Sequence, residues 1–266
     1  MGYTTKTFRP SVINGRTANV IDTTDASDKA FADGDTLFDW HELIIPNRSN
    51  AIVNAVVHAY GVDGAAQASA DFALIIAKSN NGAAPTSLGS GNVKSQTAFD
   101  LPDVLMNVIR FEGTTSSIGK LNMVNLGSTY YYMIGGGGSS NSEGSGNNLP
   151  IVINPEPNRV DGTTKIYVAG IAHGALNFST GFLSNANVSD DSATSIVTKT
   201  VDPRRNFRAG DTVYIHDSNT PIGTIASLTD NDIILTSNNV GAIAADDEFL
   251  NDKPLTITLA FSDGKI

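Results

Sequence analysis

Four histidines, His41, His58, His173 and His216, are the side chains best suited to proton transfer or metal ligation near neutral pH, and they are scattered singly along the chain. None has a second histidine or a carboxylate at a spacing that would build a local metal site. His58 lies inside an apolar, β-branched run and His216 ends another, so both read as structural or edge histidines. The acidic groups Asp190-Asp191, Asp230-Asn231-Asp232 and Asp246-Asp247-Glu248 offer oxygens to a hard cation, but none follows the spacing of a known calcium loop. Turns between strands favour Asp and Asn because their side chains bond nearby backbone, which accounts for all three groups without a metal. No Gly-x-Ser-x-Gly elbow is present, and no local constellation spells out a Ser/His/Asp triad. We therefore assign no catalytic, cofactor-binding or metal residues and expect no cofactor.

The concentrated positive charge is a different signal. Arg204, Arg205 and Arg208 cluster on a chain with 27 acidic and 17 basic residues, a formal net charge of −10. Lys6 and Arg9 are the charges of the N-terminal stretch "MGYTTKTFRP". These five residues are the candidate partner-binding set: cations that pair with nearby aspartates or dock on another acidic subunit. The overall negative charge disfavours nucleic acid and anionic membrane surfaces as partners.

Zero cysteines exclude disulfides, thiolate metal sites and cysteine nucleophiles. The longest apolar runs stay well under the roughly 18 residues a membrane-spanning helix needs. The first residues lack the apolar core of a signal peptide, and a soluble product made in a cytoplasm is expected. The sequons at Asn47, Asn177 and Asn187 are what an Asn-, Ser- and Thr-rich chain generates by chance, and they receive no role.

The elements that must position these residues are short. Abundant Thr, Ser, Asn, Gly and Ala with sparse Glu, Lys and Arg point to a turn-rich β-protein. Asn14-Gly15 between β-formers is a hairpin signal. Ala51–Tyr60 and Asp71–Lys78 read as strands that pair with each other. Leu101–Phe111 reads as a turn of helix followed by a strand, and Thr129–Ile134 as a strand whose Tyr130 and Tyr132 share a face. Gly135–Asn148, "GGGGSSNSEGSGNN", lacks the Lys-Ser/Thr and the following helix of a phosphate loop and reads as a flexible connection. Pro150–Ile153, Thr164–Ile171 and Asn177–Leu183 complete the strand candidates of the first part. Leu255, Ile257, Leu259 and Phe261 alternate with Thr256, Thr258 and Ala260, which is a half-buried strand by its period.

Between Phe207 and Leu250, "FRAGDTVYI", "TPIGTIASLTDNDIILTS" and "AIAADDEFL" follow one another with almost nothing between them. Each run is too short for a helix and ends in turn residues. The expected fold is therefore all-β: a jelly-roll or β-sandwich main domain of residues 1–194 together with 251–266, and a small inserted β-barrel module of residues 195–250. The module core should include Val213, Ile215, Ile222, Ile225, Leu228, Ile233, Leu235, Ile243 and Phe249.

The motifs F-x-x-G-D-x-V-Y-I, P-I-G-T-I-x-S-L, D-I-I-L-T-S-N-N and A-D-D-E-F-L, about 45 residues in all, resemble a short β-module of structural proteins of tailed bacteriophages, particularly those of marine bacteria. The resemblance names no catalytic residues. It implies a noncatalytic virion structural protein, most simply a decoration protein on the capsid surface, with the major capsid protein or other virion subunits as partners and a homo-oligomer, a trimer for preference, as its state. The alternatives are an extracellular carbohydrate-binding β-sandwich module, with Tyr130-Tyr131-Tyr132 as its platform, and a tail- or fibre-associated virion protein. A hydrolase ranks third, because a single tryptophan, Trp40, argues against a sugar-cleaving cleft.

Overall fold

In the computed structural model the chain is built from antiparallel β-strands, with Val104 the one α-helical residue among those described: 2–12, 31, 33–59, 72–89, 104–111, 120–123, 129–134, 150–156, 162–173, 178, 182–199, 202–215 and 221–263. The Asn14-Gly15 turn, Gly135–Asn148 and His216 lie outside that set. So do residues 101–103, where a turn of helix is expected; Leu105–Phe111 forms the strand that follows.

Two sheets make the main body. One contains β1 (Tyr3–Phe8), β15 (Leu255–Ser262), β3 (Ala51–Ala59), β7 (Thr129–Ile134) and β6 (Lys120–Met123) in that order, with β8 (Ile151–Val152) also on β3. The other runs β2 (Thr36–Pro46), β9 (Thr163–Ala172), β4 (Phe72–Lys78), β5 (Leu105–Phe111). Their facing side chains form one core. Phe8, Ile52, Val57 and the alternating Leu255, Ile257, Leu259 and Phe261 come from the first sheet, and Leu43, Ile45, Phe72, Leu74, Ile76, Ile109, Ile166 and Val168 from the second. This is a β-sandwich: successive side chains point to opposite faces, so β15 alternates plainly while β4 and β9 are buried on both faces.

β15 sits between β1 and β3, inside the sheet as its regular alternation predicts. The expected pairing of Ala51–Tyr60 with Asp71–Lys78 does not occur. β3 pairs with β15, β7 and β8, while β4 pairs with β5 and β9 in the opposite sheet. The apolar, β-branched character of both runs marks them as strands without specifying a neighbour, and the chain crosses between sheets after β3.

A second unit lies between β9 and β15 in the sequence. Its sheet order is β10 (Ser195–Val197), β13 (Asp232–Leu235), β12 (Pro221–Leu228), β11 (Thr212–Ile215), β14 (Phe249–Asn251). Two points correct the sequence expectation. First, these five strands form an open sheet whose edges, β10 and β14, do not pair with each other. Both edges instead bond to the backbone of Phe182–Asn185: Asn185 N–H to Val197 O at 3.0 Å, and Phe249 N–H to Phe182 O at 2.8 Å. Second, the module's core and its edge bonding extend upstream of Ser195 to Phe182. Phe182 is buried in the module core with Ile196, Phe207, Val213, Ile222, Ile225, Ile233, Leu235, Ile243 and Phe249, and Val188 packs against it. Val188 and Ile243 also exchange two backbone bonds of 2.8 Å.

Local turn chemistry shapes the module. The hairpin from β12 to β13 closes with Thr229 N–H on Asp232 O at 3.0 Å, and the Thr229 hydroxyl accepts from the N–H of Asn231 and Asp232. Gly210, at φ +86°, supplies the left-handed residue of the Arg208–Asp211 turn, a conformation costly for residues with a Cβ.

Candidate docking surface at the module joint

Asp211 closes its own turn by accepting Arg208 N–H at 2.8 Å. That bond leaves its carboxylate aimed at the sandwich, with its side chain only 1% exposed. Arg9, the residue after β1, forks onto it: Nη1 to Oδ1 at 2.5 Å and Nη2 to Oδ2 at 2.9 Å. Nη2 also donates to the Lys253 carbonyl at 2.8 Å, and Asn251 Nδ2 donates to Asp211 Oδ2 at 2.9 Å. A buried carboxylate is tolerated only when its acceptor sites are filled in this way, and a planar guanidinium does so bidentately. Arg9 thus ties the first strand to the module across 202 positions of sequence.

The connector after β14 adds to the joint. Asp252 accepts Thr212 N–H at 2.7 Å, its own N–H donates to Thr212 O at 3.0 Å, and its carbonyl accepts Val12 N–H at 2.8 Å. Burial pushes the Asp252 carboxyl above the usual carboxylate range, with the neighbouring Asp211 acting in the same direction. Tyr214 and Leu250 of the module pack on the sandwich core, so the joint is apolar as well as ionic. The Tyr214 hydroxyl is raised by burial and by Asp252. His58, opposite Thr256 on β3, is held neutral by burial and by the charges of Arg208 and Arg9, which bring it down to about 4.

The five candidate cations separate accordingly. Arg9 and Arg208 meet at Asp211, Arg9 through its guanidinium and Arg208 through its backbone, while the Arg208 guanidinium bonds the carbonyls of Arg204 and Phe207. Arg204 pairs with Asp202 at 2.7 Å on the surface, and Arg205 is exposed on the same 3-10 turn, Pro203–Arg205. Lys6 lies on β1, opposite Leu259. The N-terminal segment expected to reach a neighbouring subunit is instead a strand of its own sandwich, and Arg9 is engaged inside the chain. Tyr3–Phe8 pairs with Ile257–Ser262 of β15 along one edge and stands as the end strand of its sheet.

Sequence reasoning missed Asp211 as the partner of Arg9 and Arg208. The signal was partial: Gly210-Asp211 announces a turn, but nothing announces what faces it.

The other candidates hold local positions. His41 stacks on Phe8 at a centroid distance of 4.5 Å and is lowered by burial, with Glu42 opposing, and His173 lies 3.3 Å from Asp33. Asp190 accepts Gly241 N–H, Asp232 accepts the Thr229 hydroxyl, Asp246 pairs with Lys199 and Asp247 accepts Ala244 N–H. No group of three or more metal-capable side chains assembles among the described residues. Trp40 is half-buried, donating its indole N–H to Thr86 O at 2.8 Å, and it packs with Tyr167 and Leu88 on the outer face of the second sheet. The side chains of Tyr130 and Tyr132 lie outside the described set. No described helix is long and apolar enough to cross a membrane.

Comparison with family models, with curated proteins and with solved structures returned no match.

Proposed function

We propose that this chain is a noncatalytic structural protein of a virus particle, a decoration protein that assembles as a homo-oligomer, preferably a trimer, on the capsid surface. The observation that supports this reading best is the inserted module, fixed to the β-sandwich by the part-buried Arg9–Asp211 pair and by Tyr214 and Leu250. A module with its own core, held at a set orientation, gives the molecule two docking faces without needing a catalytic cleft. The chain passes from one sheet to the other between β1 and β2, between β2 and β3 and between β3 and β4, which supports a jelly-roll reading of the sandwich. The resemblance of Phe207–Leu250 to modules of tailed-phage structural proteins supplies the particle, and the major capsid protein or another virion subunit is the partner. Arg205, exposed on the module's 3-10 turn beside the Asp202-paired Arg204, is the cation of that turn that would face an acidic neighbour.

Sedimentation of the purified chain, alone and mixed with a concentrated virus fraction from its source, tests the reading. A trimer that pellets with particles and stays in solution without them is expected. A monomer that ignores particles and is retained on a glycan column would replace this reading with the carbohydrate-binding one.

A further inference from the structure

The chain leaves β4 through a two-residue turn, Asn81-Gly82. Asn80 and Ala83 exchange ladder bonds on either side of it, Asn80 N–H to Ala83 O at 2.9 Å and Ala83 N–H to Asn80 O at 3.0 Å. Both central residues are left-handed, Asn81 at φ +51° and Gly82 at φ +81°, which makes this a type I′ hairpin turn. Both are exposed. The Glu156 carboxylate clasps the turn from outside: Oε2 accepts the Ser79 hydroxyl at 2.6 Å and Gly82 N–H at 3.3 Å, and the carboxylate also accepts Asn81 N–H. The Glu156 carbonyl accepts the hydroxyl of buried Thr164 on β9, so the clasp is anchored to the second sheet. The Asn81 side chain is held less firmly, by a 3.4 Å bond from its Nδ2 to Asn80 Oδ1.

An asparagine followed by glycine holds the parts of its own modification, because the glycine nitrogen lies beside the asparagine amide with no side chain to hinder it. Among the described residues, no atom stands within 4 Å of a Cβ built on Gly82, so the approach is open. We propose that Asn81 is a site of spontaneous conversion to aspartate and isoaspartate, and that the Glu156 clasp sets its rate by holding the turn shut. Gly82 N gives up its proton to solvent and bonds to Asn81 Cγ, and the Cγ–Nδ2 bond breaks with release of ammonia, leaving a cyclic succinimide. Water then adds to one of the two ring carbonyls and breaks its bond to nitrogen, so the chain continues through either the original carbonyl or the former side chain. Water is the one co-reactant, and nothing is oxidised or reduced. Ring closure swings Gly82 N into line with Asn81 Cβ, a rotation that pulls the ladder bonds apart and takes Gly82 N–H off Glu156. The closed turn therefore resists what its sequence invites. The Ser79 hydroxyl, with the N–H groups of Gly82 and Asn81, keeps the Glu156 carboxyl below the usual carboxylate range, so the clasp is ionised at neutral pH. Neither product restores it. Isoaspartate adds a backbone atom to a two-residue turn, and both products set a second carboxylate beside Glu156. The change runs one way, freeing one end of the segment that holds Trp40 through Thr86 O. The site is a property of the turn and does not depend on the virion reading.

Peptide mass mapping of the full-length chain, aged in neutral buffer at physiological temperature, tests the site. The chain's other Asn-Gly pair, Asn14-Gly15, is the internal reference. In urea both asparagines should lose their amides at similar rates, with isoaspartate identified by fragmentation at residue 81. In the native chain Asn81 should lag behind its own rate in urea. Glu156→Ala should speed native conversion at Asn81 on the order of tenfold, as loss of hydrogen bonds to an exposed carboxylate implies. Asn14 should keep its rate in that variant. Ser79→Ala keeps the carboxylate but removes its 2.6 Å bond, so it should give a smaller gain, and it serves if the first variant does not fold. A native rate at Asn81 equal to its rate in urea, or unchanged by both variants, overturns the clasp. An Asn81 that keeps its amide in urea or in Glu156→Ala while Asn14 loses its own overturns the site.

Discussion

Asp211 carries more of this architecture than any other polar side chain described. It closes a tight turn, receives a bidentate guanidinium from a strand 202 positions away, and takes an amide from Asn251. Asp211→Ala removes the carboxylate that Arg9 forks onto at a site only partly open to water, takes the acceptor from Arg208 N–H, and leaves Asn251 Nδ2 with the Asn206 carbonyl alone. Breaking one side of such a pair costs about 3–5 kcal/mol, and the 22% exposure of the Arg9 side chain places this case at the lower end, about 3 kcal/mol. Chemical denaturation should show the loss, and a change within about 0.5 kcal/mol would mean that the pair is ornamental. A sequence reader sees Arg9 and Asp211 as two charges among 44, by adding 27 acidic and 17 basic residues. The pairing is invisible because it is made by the fold, through a strand and a turn that the sequence places far apart.

At the scale of elements, β2 shows how a strand accommodates a large ring. Its register with β9 slips around Phe38, and Phe38 lies over Gly170, where an added Cβ would come within 2.3 Å of the ring. Gly170→Ala must push a buried phenylalanine aside, and overpacking of this kind costs about 1–3 kcal/mol. A thermal melt at or above that of the unaltered chain would show that Phe38 can swing clear. The module has its own critical ring: Phe249 is fully buried and joins β14 to Phe182 through a 2.8 Å backbone bond. Phe249→Ala should cost about 3–5 kcal/mol and lower module protection before that of the sandwich. A single cooperative loss across both units would show that they fold as one.

Legibility followed the same physics. β15 was readable because one face is fully buried and the other is not, so its period is plain. The module's upstream extent was not readable. Ser184 and Ser192 look like linker residues by composition, yet the Ser184 hydroxyl donates to Ala186 O and Ser192 N–H donates to Asn239, so the polar stretch is fastened to the module by its own hydrogen bonds. A deletion of residues 195–250 would therefore strand Phe182 and Val188 without a core and yield an aggregating chain. Removing 182–250 with a short Gly/Ser bridge takes the module core out whole and joins ends already within hydrogen-bond reach. It also strips Leu250 and Tyr214 from the sandwich core and Asp211 from Arg9, so a folded sandwich of lowered stability is expected. If both deletions behaved alike, Phe182–Thr194 would not belong to the module.

For the whole molecule, the two units share a boundary in which Leu250 and Tyr214 reach the sandwich core and Arg9 reaches the module, so the insertion is integrated and not merely tethered. Composition and charge pointed to an all-β chain that avoids nucleic acid, and the fold class follows them. The candidate docking cations were found as residue types, but only the structure shows that Arg9 is spent internally while Arg204 and Arg205 face outward. The measurement that bears most directly on the proposed role is immunogold electron microscopy of virus particles from the source, using antibody raised against the purified chain. The account predicts gold spread over the head surface in a regular density. Gold confined to tails, or particles that stay bare while free chain is labelled, would contradict it.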